Sequence, residues 1–273
     1  MSGNQAIARG AFEAGVKFAS GYPGTPSTEI LETIVQYKEI YSEWASNEKT
    51  ALEASMGACF AGARSITTMK HVGLNVAADA LMTLAYTGVK GGMVIIVADD
   101  PAMHSSQNEQ DTRHYGRFAK IPVLEPSDSM EAKEMIKNAM DISEKFDTPV
   151  IFRTITRVSH GESLVTFSER KESSLSLSFD KQNAKYVMIP AYAKKRHTVV
   201  EDRFKKLKGF AEETPLNQIE MNSPEIGIIT SSIAYQYCKE AFPEASYLKL
   251  GMSWPLPDKK IIEFSKKVKK LYV

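Results

Sequence analysis

Residues 43–79 read EWASNEKTALEASMGACFAGARSITTMKHVGLNVAAD, and the order of signals in them sets the fold class. Asn47 stands as an N-cap, so Glu48 opens the helix that follows. Ala51, Ala54, Ser55, Gly57, Ala58, Ala61, Gly62 and Ala63 run along that helix. Two helical glycines cost about 1 kcal/mol each against alanine, so close approach of another backbone or a ligand is expected to offset them. The chain turns at Gly62-Ala63-Arg64 and enters a strand, Ser65 to Lys70. His71-Val72-Gly73-Leu74-Asn75 follows at the strand's carboxyl end. That end is where ligands sit in open α/β sheets. Taken alone, Glu48 only complements the helix macrodipole, worth about 0.3–1 kcal/mol, and small helical residues serve tight packing.

Toward the N-terminus, residues 4–19 carry Ala6-Ile7, Ala11, Ala14 and Val16 on the helical period. A short strand follows at 18–22, then Pro23-Gly24-Thr25-Pro26-Ser27 as a rigid turn, and a helix from Thr28 to Tyr41. Toward the C-terminus, Asp79 to Tyr86 reads as a helix. Met93 to Ala98 is a continuous apolar run, the pattern of a strand covered on both faces. Asp99-Asp100-Pro101 ends it. The polar stretch from Met103 to Arg117 has neither helical nor strand rhythm and reads as a functional loop. It collects His104, Gln107, Asn108, Asp111 and His114, but no pair has a zinc-like spacing, so no metal site is expected. A strand at 122–126, an amphipathic helix from Met130 to Phe146 and a strand at 149–154 complete the unit. Strands and helices alternating at these lengths predict an α/β domain over residues 1–160, with a parallel sheet and right-handed crossovers.

Residues 161–222 change character, being rich in Ser, Lys and Glu. They read as an interdomain bridge with one exposed charged helix near 203–211 and a solvated basic run at Lys194-Lys195-Arg196. From residue 223 a second α/β unit begins: strand 226–230, a helix to Phe242, strand 247–250 and a helix from Asp258 to Lys267. Residues 271–273 fall where a third strand should start. A truncated product, or a piece completed by something else, is the expectation.

Composition narrows the function classes. Hydrophobic content of 43%, charged content of 25% and a net charge of +1 are ordinary for a globular protein, with no electrostatic case for nucleic acid or an anionic membrane. No apolar run is long enough to span a bilayer, and MSGNQAIARGAFEAG lacks a signal core, so a cytoplasmic location is expected. Cys59 and Cys238 are the only cysteines, too few for an iron–sulfur cluster. Cys59 reads as a packed thiol.

Four stretches, GYPGTPSTEI (21–30), NEKTALEASMGACFAGAR (47–64), TTMKHVGLNVAAD (67–79) and HSSQNEQD (104–111), occur in an order that carries a resemblance. They resemble the α subunits of indolepyruvate:ferredoxin oxidoreductases, which are thiamine-diphosphate 2-oxoacid oxidoreductases. The resemblance is strong over 4–160, weaker over 224–273, and weakest between. It implies a pyrimidine-binding-type domain followed by the start of a smaller, transketolase C-terminal-like domain. It also implies that Glu48 holds the cofactor's pyrimidine ring nitrogen, with Gly24 and Thr25 beside the aminopyrimidine. Thr25, Lys70, His71, Asn75, His104, Gln107 and Asn108 would line the substrate pocket.

By the same resemblance, Mg2+, the diphosphate and [4Fe-4S] clusters belong to sequence absent here, since no GDG…N segment or CxxC set is present. The implied partners are a diphosphate-binding domain or subunit, a β subunit, ferredoxin and CoA, in a dimer or heterotetramer. The implied reaction converts indolepyruvate to indoleacetyl-CoA, and the chain alone would be inactive. Two alternatives stand beside it: a non-catalytic assembly or ligand-binding module of the same fold, and an oxidoreductase acting on another 2-oxoacid.

Overall fold

A computed structural model describes residues 1–273. Seven strands form the larger sheet. In chain order the first part comprises α1 (Gly3–Glu13), β1 (Phe18–Gly21), α2 (Thr28–Ile34), β2 (Tyr41–Trp44), α3 (Glu48–Phe60) and β3 (Ser65–Lys70). Next come α4 (His71–Val76), α5 (Ala78–Thr87), β4 (Met93–Asp99), α6 (Arg113–Ala119), β5 (Val123–Leu124), α7 (Ser129–Phe146), β6 (Val150–Ile155) and α8 (Thr156–His160). The helix α9 (Asn183–Tyr186) and the long α10 (Pro190–Glu213) lead to β7 (Asn217–Glu220) and β8 (Ser223–Thr230). The chain then passes through α11 (Ser232–Ala241), β9 (Ala245–Leu250), β10 (Met252–Trp254), α12 (Asp258–Ser265) and β11 (Lys270–Tyr272).

The larger sheet has the order β10-β5-β6-β4-β3-β1-β2, and only β10 runs antiparallel. Strands β3, β4 and β6 are buried along their whole length, as the continuous apolar run at 93–98 requires. The inner face of α7 carries Ala132, Met135, Ile136, Ala139, Met140 and Ile142, all buried, and the side chain of Asp128 accepts from Glu131 N to cap its start. Close backbone approach occurs where α1 crosses α7: a Cβ on Gly10 would lie 2.5 Å from the Lys133 carbonyl oxygen. The smaller sheet has the order β11-β8-β9-β7, with β7 antiparallel to β9.

Several elements depart from the sequence reading. The first helix stops at Glu13, because Gly15 turns the chain at φ +71 and a Cβ there would meet the Lys171 carbonyl at 2.2 Å. The second helix ends at Ile34, and β2 emerges at Tyr41 to pair with β1 in register Phe18↔Tyr41. Sheet pairing overrides the helical pattern there. Only Gly57 lies inside α3. Gly62 lies beyond it at φ +93, and apart from its own stretch of helix nothing comes within 4 Å of a Cβ on Gly57.

Arg196 is not solvated: it donates to the carbonyls of Tyr86 and Thr87 and to Asp147. Its stretch forms one long helix whose Val200, Arg203, Leu207 and Ala211 are buried. Strand β7 lies inside the stretch read as a bridge, and β10 returns to the larger sheet. Cys59 is buried as expected. Its Sγ donates to the Gly91 carbonyl at 3.0 Å, and burial pushes the thiol up to about 12.

Candidate active site

Glu48 occupies the first position of α3 because Asn47 caps that helix, its side chain accepting from Thr50 N at 2.9 Å. The Glu48 side chain, half-buried, reaches across to the start of α4. There Gly73 makes room for it: a Cβ at 73 would sit 2.6 Å from both Glu48 Cγ and Oε1. Real side chains do not approach so closely, so a β-carbon at residue 73 would push Glu48 out of this position. The sequence reading placed both residues in this region, but periodicity could not reveal their contact.

Lys70, the last residue of β3, is 8% exposed and donates through Nζ to the Ser105 carbonyl at 2.9 Å. Its stem packs on Gly24, whose Cβ position lies 3.4 Å from Lys70 Cβ and Cδ. Thr25 is exposed, and its carbonyl accepts from Ser105 Oγ at 3.4 Å. Three segments distant in sequence, 23–27, 70 and 105, therefore meet at one sheet end. His71 is buried beside them and bonds through Nε2 to the Asn108 carbonyl at 3.0 Å, while its Nδ1 is buried without a partner. Asn75 accepts from the Tyr115 hydroxyl at 3.0 Å. The side chains of Gln107 and Asn108 are exposed. His104 lines a polar cavity of about 350 Å³ with Thr156, Arg157, His160 and Gly161.

The loop carrying these residues is held by two aspartates that the sequence reading treated only as the end of a strand. Burial works to raise the pKa of Asp100. Hydrogen bonds from Ser106 Oγ (2.6 Å), Ser105 N (2.8 Å) and Thr156 Oγ1 (2.9 Å) overcome that and hold its carboxyl well below the usual range. Asp99 accepts from Thr112 N at 3.1 Å and from Arg153 Nε at 2.7 Å. Arg153 is buried and also pairs with Glu125. Burial likewise opposes the charge of Asp111, but Arg113 and Arg153 bring its carboxyl down to about 2. The stretch without rhythm thus has a fixed shape, and its last part folds into α6 once Thr112 is tied to Asp99.

This parallel layer, with polar loops gathered at the carboxyl ends of its strands, is a fold shared with solved structures. The chain superposes on a 2-oxoglutarate:ferredoxin oxidoreductase from Magnetococcus marinus with a TM-score of 0.76 and 18% identity, covering 99% of this chain and 56% of that one. It also matches a split-gene transketolase (TM-score 0.62, 12% identity, covering 98% of this chain and 76% of that one). A family model described as "Pyruvate flavodoxin/ferredoxin oxidoreductase, thiamine diP-bdg" matches residues 9–223, and the chain belongs to that family.

Among curated relatives, it is 42% identical to the indolepyruvate oxidoreductase subunit IorA of Archaeoglobus fulgidus, over 100% of this chain and 46% of the relative. It is 45% identical to that of Pyrococcus abyssi, over 94% of this chain and 42% of the relative. The chain thus spans under half the length of these relatives, each of which is one subunit of its enzyme. No helix of the chain is long and apolar enough to cross a membrane.

Proposed function

We propose that this chain forms the pyrimidine-facing part of an oxidoreductase that decarboxylates aryl pyruvates, turning indolepyruvate into indoleacetyl-CoA and passing electrons to ferredoxin. The observation that carries this reading is the seat of Glu48 against Gly73, which holds a carboxylate half-buried at the ligand end of a parallel sheet. Held against Gly73, the carboxylate would meet a flat ring approaching it edge-on. Bound thiamine diphosphate would supply the carbanion chemistry that releases carbon dioxide from a 2-oxoacid. Glu48 would share a proton with the pyrimidine ring nitrogen, in a position where limited water access strengthens the bond.

Gly24 would let the ring approach Lys70, and Thr25 would orient the substrate with Lys70, His71 and Asn75 around it. His104, Gln107 and Asn108 would stand at the pocket's entrance. On this reading residues 1–160 are the pyrimidine-facing domain and 223–273 begin a second domain. The linking residues 161–222 contribute edge strand β7 to the second domain's sheet. The diphosphate-binding part, its Mg2+, the [4Fe-4S] clusters and a β subunit come from elsewhere in the complex, and the chain alone does not turn over substrate.

The test is Glu48→Gln in a complete complex. Indolepyruvate decarboxylation should fall by about 10²-fold or more while the complex elutes at unchanged size. Full activity in the variant would remove Glu48 from the mechanism.

A further inference from the structure

Three lysines of the chain are buried: Lys70, Lys133 and Lys249, exposed by 8%, 0% and 8%. Two of them are neutralised. Lys133 Nζ lies 2.9 Å from a Glu13 oxygen, and Lys249 Nζ lies 2.8 Å from a Glu131 oxygen. Lys70 Nζ reaches only the Ser105 carbonyl, at 2.9 Å, and has no carboxylate against it. An ammonium withdrawn from water without a counter-charge is costly, which is why buried lysines are paired. A carbonyl satisfies one of its three N–H donors and none of its charge.

The acids of this region are spent elsewhere. Asp100 accepts from Ser105 N, Ser106 Oγ and Thr156 Oγ1, and Glu48 is turned against Gly73. The ammonium is also held in place. Lys70 ends the buried strand β3, and its stem lies along Gly24, with Cβ and Cδ 3.4 Å from that residue's Cβ position. Its tip therefore sits where the turn 23–27 meets the loop carrying Ser105, whose Oγ donates to the Thr25 carbonyl at 3.4 Å. Thr25 and Ser105 are exposed, so this junction opens to solvent.

We propose that Lys70 binds the carboxylate of the 2-oxoacid substrate and is the group that makes the site demand an acid. A carboxylate brings the single negative charge that this ammonium lacks, and its two oxygens accept the two N–H groups left free. A phosphate dianion would leave a charge unmatched. The proposal rests on the 2-oxoacid reading for the identity of its ligand and adds the residue that fixes the acid's orientation. Because carbon dioxide leaves as a neutral molecule, the ion pair serves binding rather than the bond-breaking step, and its loss belongs in KM rather than kcat.

The test compares indole-3-propionate with indole-3-propionamide, alike in shape and different in charge, titrated calorimetrically into the complete complex. The acid should bind about tenfold or more tightly than the amide. Lys70→Gln, which keeps a donor for the Ser105 carbonyl, should erase that preference by weakening the acid alone. It should also raise KM for indolepyruvate while kcat stays within about threefold. Lys70→Arg should restore most of the preference. Lys249→Met, as deeply buried but already paired, should leave it intact. No preference for the acid in the unmodified complex would overturn the assignment. So would equal weakening of acid and amide in Lys70→Gln, which would make Lys70 a clasp for the loop and nothing more. A preference that depends on Lys70 in a complex that does not turn over indolepyruvate would uphold the ion pair and fault the 2-oxoacid reading instead.

Discussion

The two sheets differ in how much of their stability they carry themselves. The larger one is sandwiched by buried apolar clusters of 26 and 18 residues, whereas the smaller has clusters of 4 and 3, and it must therefore lean on its neighbour. The leaning is visible in polar ties: Lys249 to Glu131 at 2.8 Å, Gln236 to Asp128 at 3.1 Å, and Ser232 to the Pro126 carbonyl at 3.1 Å. All three reach the turn and helix start after β5. A thin layer fixed by directional bonds to a thick one can tilt or loosen without disturbing the thick one's core.

The sharpest way to break the comparison is to damage the thick layer. Lys133 and Glu13 are wholly buried and paired at 2.9 Å. Lys133→Met leaves a buried carboxylate without its main cation and should cost about 3–5 kcal/mol in urea unfolding followed by circular dichroism. Burial pushes the Glu13 carboxyl up, but hydrogen bonds from the Ser168 amide, Lys133 and Arg9 hold it below its ordinary value. Its stabilising effect is therefore complete above the ordinary carboxylate range and is lost as pH falls through the depressed value. Without Lys133 that value rises, and acid unfolding should begin at higher pH.

A smaller effect should come from the thin layer. Phe264 is fully buried in a four-residue core, and Phe264→Ala should cost about 3 kcal/mol. Amide exchange should quicken over 217–272 while residues 93–155 keep their protection. Equal loss in both would mean that the layers unfold as one. Smallest is Lys249→Met, which cuts one tie between side chains 10% and 18% exposed. It should cost about 1 kcal/mol, seen only as faster exchange in the smaller sheet.

What could be read beforehand follows the same division. The central strands announced themselves because burial on both faces demands unbroken apolar runs, as at 93–98. The helix α7 did so through its single apolar stripe. Strand β2 did not, since its residues are largely exposed and its identity comes from pairing with β1. Nor did β7 or β10, short strands recruited by sheets formed from distant sequence. At the candidate site, the pattern showed only that Glu48 opens a helix capped by Asn47, and the role proposed for it came from the resemblance. Its seat on Gly73 was not legible, because that contact joins two elements whose meeting depends on the fold. The aspartates that shape the loop were hidden for a related reason: Asp99 and Asp100 look like a polar strand end until Thr112, Arg153 and Ser106 arrive from elsewhere.

The antiparallel pairing of Met252 and Trp254 with β5 has a bearing on biosynthesis. A nascent chain that has emerged only as far as residue 250 already contains every parallel strand of the larger sheet, yet β5 is still an open edge. The last rung arrives only after β7, β8 and β9 have been made. The edge of β5 is thus covered by a segment made after β9, and a chain released between 160 and 250 would leave β5 bare and suited to pairing with another molecule.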